Sequence, residues 1–233
     1  MKFEITDNIF AKLPNMYVGV VVADQVDNSQ EYPEIADLLD QSMQDAKYRF
    51  KDVNVKQDPQ IVPYREAFRQ IGVNPNRYLC SVEALFKRLS KGKDLPNINP
   101  LVDLNNAISM KYTLPMGTHT LDGVTTDIKM RLAESGDTFE DLGGDKVEAP
   151  DEGEVVYAVD HEVRTRRWTW RQSKFGMITP DTKTVFFPID GFTDFNQERV
   201  DQAAAELEDK LQEIFHCQTV RGFVDQEHSS FEW

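Results

Sequence analysis

Residues 16–26, MYVGVVVADQV, form an apolar, β-branched run with little polar alternation. A strand with one wet face alternates apolar and polar residues with a period of two. A continuous run of this kind has both faces covered. The fold must therefore supply a layer on each side of the sheet that holds this strand. Helical spacing supplies candidates. Residues 30–50 place Ile35, Leu38, Leu39, Ser42, Met43 and Ala46 on one face, and residues 196–215 do the same with Val200, Ala203, Ala204, Leu207, Leu211 and Ile214. Pro59 and Pro63 open a shorter helix through Tyr64, Ala67, Phe68 and Ile71 that stops at Gly72. Ser81 begins a basic helix ending near Gly92, and residues 100–112 form another.

Strands are expected at KFEITDNIF, DIKMRLA and VVYAVD, and at TKTVFFPIDGF, where Pro188 is expected to break the strand. TRRWTWRQS alternates like a strand into a polar turn, and the tail CQTVRGFVDQEHSSFEW adds an edge strand. SGDTFEDLGGDKVEAPDEGE is loop-rich, with LGGD read as a hairpin turn rather than a phosphate nest. Helices concentrate in the first half and strands in the second, with no repeat and no linker. The expected fold is mixed α/β (α+β), with mixed sheets flanked by helices in a single body spanning 1–233.

Asp and Glu exceed Lys and Arg by 14, which argues against a general, sequence-blind coat for nucleic acid. The excess is uneven. Residues 64–93 hold seven Lys/Arg against two Glu, and residues 162–174 hold five against one. These stretches either form a local anion-binding surface or are solvated faces paired with nearby acids. Cys80 and Cys217 are far apart and lack metal-ligand spacing, as expected of free, buried thiols in a reducing cytoplasm. No apolar leader or membrane-length run is present, so a soluble, intracellular chain is expected.

Familiar catalytic signatures are missing: there is no Walker loop, GxGxxG, GxSxG or HExxH. His119, His161, His216 and His228 are scattered, and no cofactor or metal is expected. The unusual stretch is residues 98–122, INPLVDLNNAISMKYTLPMGTHTLD. Asn105 and Asn106 interrupt a helix that their amides disfavour, and His119 follows on a Gly-Thr-His corner. Such side chains either bond local backbone or are gathered to hold a ligand. Asp103, near the helix start, reads as a structural acceptor.

The order Asn99-Pro100-Leu101-Val102-Asp103-Leu104-Asn105-Asn106, then His119 and Asp122, resembles the B3/B4 editing module of the bacterial phenylalanyl-tRNA synthetase β subunit. That module carries a VDxTN helix followed by P-x-H-x-x-D. DIKMRLAESGDTFEDLGG is similar to its strand-hairpin, ITPDTKTVFF to a later segment, and the region from Tyr64 to Asn106 to free-standing versions. The resemblance covers about residues 60–192, with the N-terminal strands and helix and the long C-terminal helix packing on that core.

The resemblance implies a B3/B4-like fold and hydrolysis, in trans, of the ester of mischarged aminoacyl-tRNA. The alternative is a non-catalytic module that binds RNA or an amino-acid-like ligand. It places Asn105 and Asn106 at the family's threonine-asparagine pair and His119 at its histidine, all three as catalytic candidates. Gly117, Thr118, Trp170, Arg171, Gln172 and Pro188 fall at substrate-binding positions. Pro188 stands where the family has a glutamate, and Gly117 where it has proline. Trp168 to Gln172 replace a small-residue loop, and Trp168, Trp170 and Arg171 suit stacking on a base or contact with phosphate, unless the two tryptophans pack in the core or on an edge strand. Lys87, Arg88, Lys91, Lys93, Arg164, Arg166 and Arg167 are candidates for RNA contact. The implied partner is aminoacyl-tRNA, bound weakly and with strong salt dependence, with no DNA or membrane partner.

Overall fold

The computed structural model describes residues 1–144 and 146–233. The chain opens with β1 (Lys2–Ile5), α1 (Asp7–Phe10) and β2 (Met16–Asp24). The helices α2 (Pro33–Arg49), α3 (Val62–Gln70), α4 (Ser81–Leu89) and α5 (Pro100–Tyr112) follow. Short strands come next: β3 (His119–Thr120), β4 (Ile128–Leu132), β5 (Phe139–Glu140), β6 (Val147–Glu148), β7 (Val155–Val159), β8 (Glu162–Arg166) and β9 (Arg171–Gln172). The chain closes with β10 (Val185–Phe192), α6 (Gln197–Phe215), β11 (Gln218–Val224) and β12 (Ser230–Glu232).

Among the described residues the larger sheets have the orders β12-β1-β4-β7-β8-β9 and β11-β2-β10-β3, and β5 and β6 form a separate hairpin. LGGD lies in the β5–β6 connection, and its Asp145 is outside the described residues. The two-sided run behaves as its composition requires. Val18, Val20 and Val22 of β2 join Phe3, Met130, Tyr157 and Phe186 in a core between the two sheets. Tyr17, Val21 and Ala23 point the other way, into a core shared with Leu104 and Ile108 of α5 and Val200, Ala203, Leu207 and Leu211 of α6. The layers are therefore sheet, sheet and helices, and β2 and β10 are covered on both sides.

Two local expectations differ. KFEITDNIF is strand only through Ile5; Asp7–Phe10 turns into a helix that buries Ile9 and Phe10. Pro188 does not break β10, whose register with β2 runs unbroken from Val185 opposite Ala23 to Phe192 opposite Met16. A strand residue's N–H and C=O point to the same side. The Pro188 carbonyl accepts from Gly117 N at 3.0 Å, so the missing N–H faces the segment before β3 and leaves the β2 ladder intact.

Candidate functional site

Between the two sheets lies a small cavity of about 60 Å³. Its wall is drawn from Met116, Gly117 and His119 at the entry to β3, from Pro188 and Asp190 on β10, and from Tyr157 and Thr165 on β7 and β8. The turn Trp168–Gln172 and Ser81, the first residue of α4, complete it. Alternation along β10 is what builds the site. Phe186, Pro188 and Asp190 share the face turned toward the other sheet, while Val185, Phe187 and Ile189 pack toward α6.

Asp190 is the chemical centre of the cavity. Its Oδ1 accepts from Tyr157 Oη at 2.7 Å and from Trp168 Nε1 at 2.6 Å. No side chain cation reaches it among the described residues, and Oδ2 has no hydrogen-bond partner there. Burial pushes the carboxyl up to about 7, against the two donors that favour its ionised form. Its main chain is pinned as well, with Tyr64 Oη donating to the carbonyl at 2.9 Å and Asp190 N donating to Pro115 O at 2.9 Å.

His119 sits across the wall, buried between the rings of Tyr157 and Phe186, each 6.1 Å away between centroids. Burial and the nearby Arg164 guanidinium lower its pKa to about 3, so the imidazole is neutral at physiological pH. Nε2 approaches Thr165 Oγ1 at 3.5 Å, and Nδ1 is buried without a partner. The ring is wedged from behind. A Cβ at Gly176 would lie 2.8 Å from Nδ1 and 3.1 Å from Arg164 Cδ, so only glycine lets the backbone come this close.

The turn facing His119 holds two consecutive non-glycine residues in the left-handed region, Arg167 at φ 46° and Trp168 at φ 61°. Conformations of this kind cost about 1–3 kcal/mol each and persist where the surroundings over-determine them. Glu154 does so here, accepting from Arg167 N and from Arg166 Nε at 2.9 Å each, while Trp168 N donates to Val155 O at 2.7 Å. Gln172 ties the turn to the β3 entry by donating to Thr118 O and, at 3.2 Å, to Gly176 O. The Thr169 hydroxyl is buried in the wall with no partner.

Comparison with known proteins gives this arrangement a family. Residues 63–215 match the B3/4 domain, which is well over half of the chain. The chain belongs to the B3/4 domain family. Among solved structures, an N-terminal fragment of the phenylalanyl-tRNA synthetase beta subunit from Pyrococcus horikoshii is similar, with a TM-score of 0.50 and 9% identity. The likeness covers 93% of this chain and 49% of that one, so the B3/4 domain protein spans about half the length of the fragment. At that identity the likeness speaks to fold. No curated protein matches the sequence.

Of the sequence-nominated residues, the B3/4 fold brings Gly117, His119, Trp170, Arg171, Gln172 and Pro188 to one cavity, with Thr118 bonded behind it. Asn105 and Asn106 are not in its wall. Asn105 lies on the buried side of α5 with its Oδ1 unpartnered, and Asn106 is half-buried. The helix start is capped by Asn99, which accepts from Val102 N, while Asp103 accepts from Ile98 N, a structural role.

The arginines need correction as phosphate contacts. Arg164, Arg166 and Arg167 are all buried. Arg166 is forked onto Glu154 and also reaches Glu148, Arg167 pairs with Asp151, and Arg164 donates to Phe175 O at 2.5 Å. Their guanidinium groups are engaged within the protein, by Glu148 on β6, by Asp151 and Glu154 ahead of β7 and by the Phe175 carbonyl. Arg88, Lys91 and Lys93 are exposed and Lys87 half-exposed, all at or just beyond the C-terminal end of α4.

Among the described residues, the one cluster with metal-compatible spacing is Glu134, Asp137 and His161, whose ligand atoms lie within 4.8 Å of one another. Arg131 already holds both Asp137 oxygens at 2.7 Å, which places a cation where a metal would have to sit. No helix of the described residues is long and apolar enough to cross a membrane. Sequence reasoning missed Asp190 and Tyr157. The available signal was a lone acid inside the apolar run VFFPIDGF, two residues from Pro188 and hence on the same face.

Proposed function

We propose that this B3/4 domain hydrolyses, in trans, the ester linking a mischarged amino acid to tRNA. The observation that carries the reading is the convergence of a partly free Asp190 carboxylate and a neutral His119 on one cavity of a B3/4 fold. An aminoacyl ester is already activated and needs an aimed water and a stabilised oxyanion more than a strong nucleophile. Asp190, with its pKa near the working pH, takes the proton of the attacking water as oxygen bonds to the ester carbon. His119 in its Nε2–H form donates to the developing oxyanion. The carbon–oxygen bond to the ribose then breaks, and the proton passes to the departing ribose oxygen.

Recognition of the RNA end falls to the mouth of the cavity. Trp170 is half-buried there, with Tyr78 edge-on at 4.8 Å and the Arg167 and Arg171 guanidinium groups 4.8 and 5.0 Å from its ring, a platform suited to one base. Helix α4 runs from Ser81 in the wall to the basic group Lys87, Arg88, Lys91 and Lys93. A helix of its nine residues spans about 13 Å, a distance suited to the phosphates behind a terminal nucleotide. Binding through so few cations on an acidic protein is weak and falls steeply with salt.

The test is a deacylation screen against tRNAs charged with each amino acid, comparing wild type with His119→Ala and Asp190→Asn. Some mischarged tRNA should be hydrolysed, and both variants should lose about 10²-fold or more in rate while staying folded. Saturable binding without turnover would replace the hydrolase with a ligand-binding module.

A further inference from the structure

The His119 ring has two unlike poles. Nε2 lies 3.5 Å from Thr165 Oγ1 and 3.1 Å from where a Cβ at Gly117 would stand, and both of those residues line the cavity. Nδ1 lies toward Gly176 and Arg164, neither of which lines it. We propose that Arg164 is a positioning residue, which keeps His119 neutral with its one ring proton on Nε2, the nitrogen turned to the substrate. The inference rests on the ester-hydrolase reading, which asks that nitrogen to donate to the oxyanion.

Arg164 is held where it is by main chain. Its Nη1 donates to Phe175 O at 2.5 Å and to Thr120 O at 3.3 Å, so the guanidinium bridges the residue after His119 to the 3₁₀ turn Lys174–Gly176. Gln172 ties the same two segments together by donating to Thr118 O and Gly176 O. Gly176 is caught between ring and cation: its Cβ would lie 2.8 Å from His119 Nδ1, 3.1 Å from Arg164 Cδ and 3.6 Å from Nη1. The cation therefore stands at the Nδ1 pole and cannot swing away without giving up both carbonyls. Its one acid partner is Glu162, 3.3 Å from Nη2 and about half exposed. Burial lowers the Arg164 pKa, yet an arginine stays charged near neutral pH.

That placement decides the tautomer. His119 Nδ1 is buried without a hydrogen-bond partner. A proton there would be a buried donor with nothing to accept it, turned toward a positive charge. With the proton on Nε2, Nδ1 presents its lone pair to the cation instead, and the donor faces the cavity. A second ring proton is opposed by burial and by the same cation, in keeping with the lowered pKa of His119. The other groups around the ring agree. Phe186 and Tyr157 flank it as rings, the Tyr157 hydroxyl is committed to Asp190, and Pro188 is apolar. Asp190, the acid that shares the cavity, lies on the Nε2 side and, when ionised, favours the proton there.

The experiment is two-bond proton–nitrogen NMR of the histidine rings in the full chain labelled with nitrogen-15, with the His119 signals assigned by their loss in His119→Ala. At pH 7 the wild type should show the Nε2–H form of His119 alone. Arg164→Gln replaces the cation with a neutral side chain that reaches as far as Arg164 Nε and can accept from Nδ1. In it the Nδ1–H form should rise from undetectable to about a tenth of the population or more, and the ring's titration should move up from about 3. Arg164→Lys keeps the charge and should restore the wild-type spectrum. A wild-type ring protonated on Nδ1 overturns the proposal without any variant. So does an Arg164→Gln spectrum identical to wild type in a protein with native thermal unfolding, or an Arg164→Lys spectrum matching that of Arg164→Gln. The predicted spectra in a protein that hydrolyses no charged tRNA would leave the role of Arg164 standing and remove the hydrolase reading, so the two fail separately.

Discussion

On one face of β10, Val185, Phe187 and Ile189 are fully buried against the helical layer, and Gly191 is there because a Cβ would lie 2.5 Å from Val200 of α6. On the other face, Phe186, Pro188 and Asp190 look across to β7 and β8 and leave a cavity floored by a carboxylate. The same strand, in the same sheet, has spent one face on close packing and kept a hollow with unpaired polar atoms on the other. Leaving buried polar groups unsatisfied costs about 1–3 kcal/mol apiece, and a fold bears that cost where a ligand supplies the partner. The contrast between the faces separates stability from function residue by residue.

The largest stability effect belongs to the packed face. Phe187→Ala should cost about 3–5 kcal/mol in urea unfolding, as a full ring is removed from a closed core. Its hydrolytic rate per folded molecule should stay near wild type; a large loss would mean that the two faces are coupled.

A smaller, pH-dependent effect belongs to the cavity face. Asp190 is lifted to about 7 by burial, so its stabilising contribution is complete below the ordinary carboxylate range near about 4 and is lost as pH rises through 7. His119 is lowered to about 3, so its contribution is complete above the ordinary imidazole range near about 6.5 and is lost as pH falls through 3. The two slopes oppose each other in the wild type. Asp190→Asn removes the first. The variant should therefore gain on the wild type as pH rises from about 4 to 7, at up to about 1.4 kcal/mol per pH unit. Parallel stability curves would place the titration elsewhere.

Periodicity carried the architecture because it reports local burial. The run Met16–Asp24 demanded two covered faces and received them, and the helices at Pro100–Tyr112 and Gln197–Phe215 lie where their spacing placed them. Pro188 misled because its effect depends on which neighbour its absent N–H faces, and that is a property of the assembled sheet. The arginines misled for a similar reason. Charge is visible in a sequence but its partners are not, and Arg166 on β8 meets Glu148 on β6 and Glu154 just ahead of β7. The asparagine pair attracted notice as a helix anomaly, yet the cavity formed around His119 from β10 beside it and from the opposite sheet. Asp190 was readable only through the alternation of β10, which joins it to Pro188.

The most direct test is the pH–rate profile of single-turnover deacylation on the preferred charged tRNA, wild type against Asp190→Asn. A rising limb with its midpoint near pH 7 that disappears in the variant is the expected result. The same limb in the variant, at a comparable rate, would contradict the assignment of Asp190 as the group that activates water.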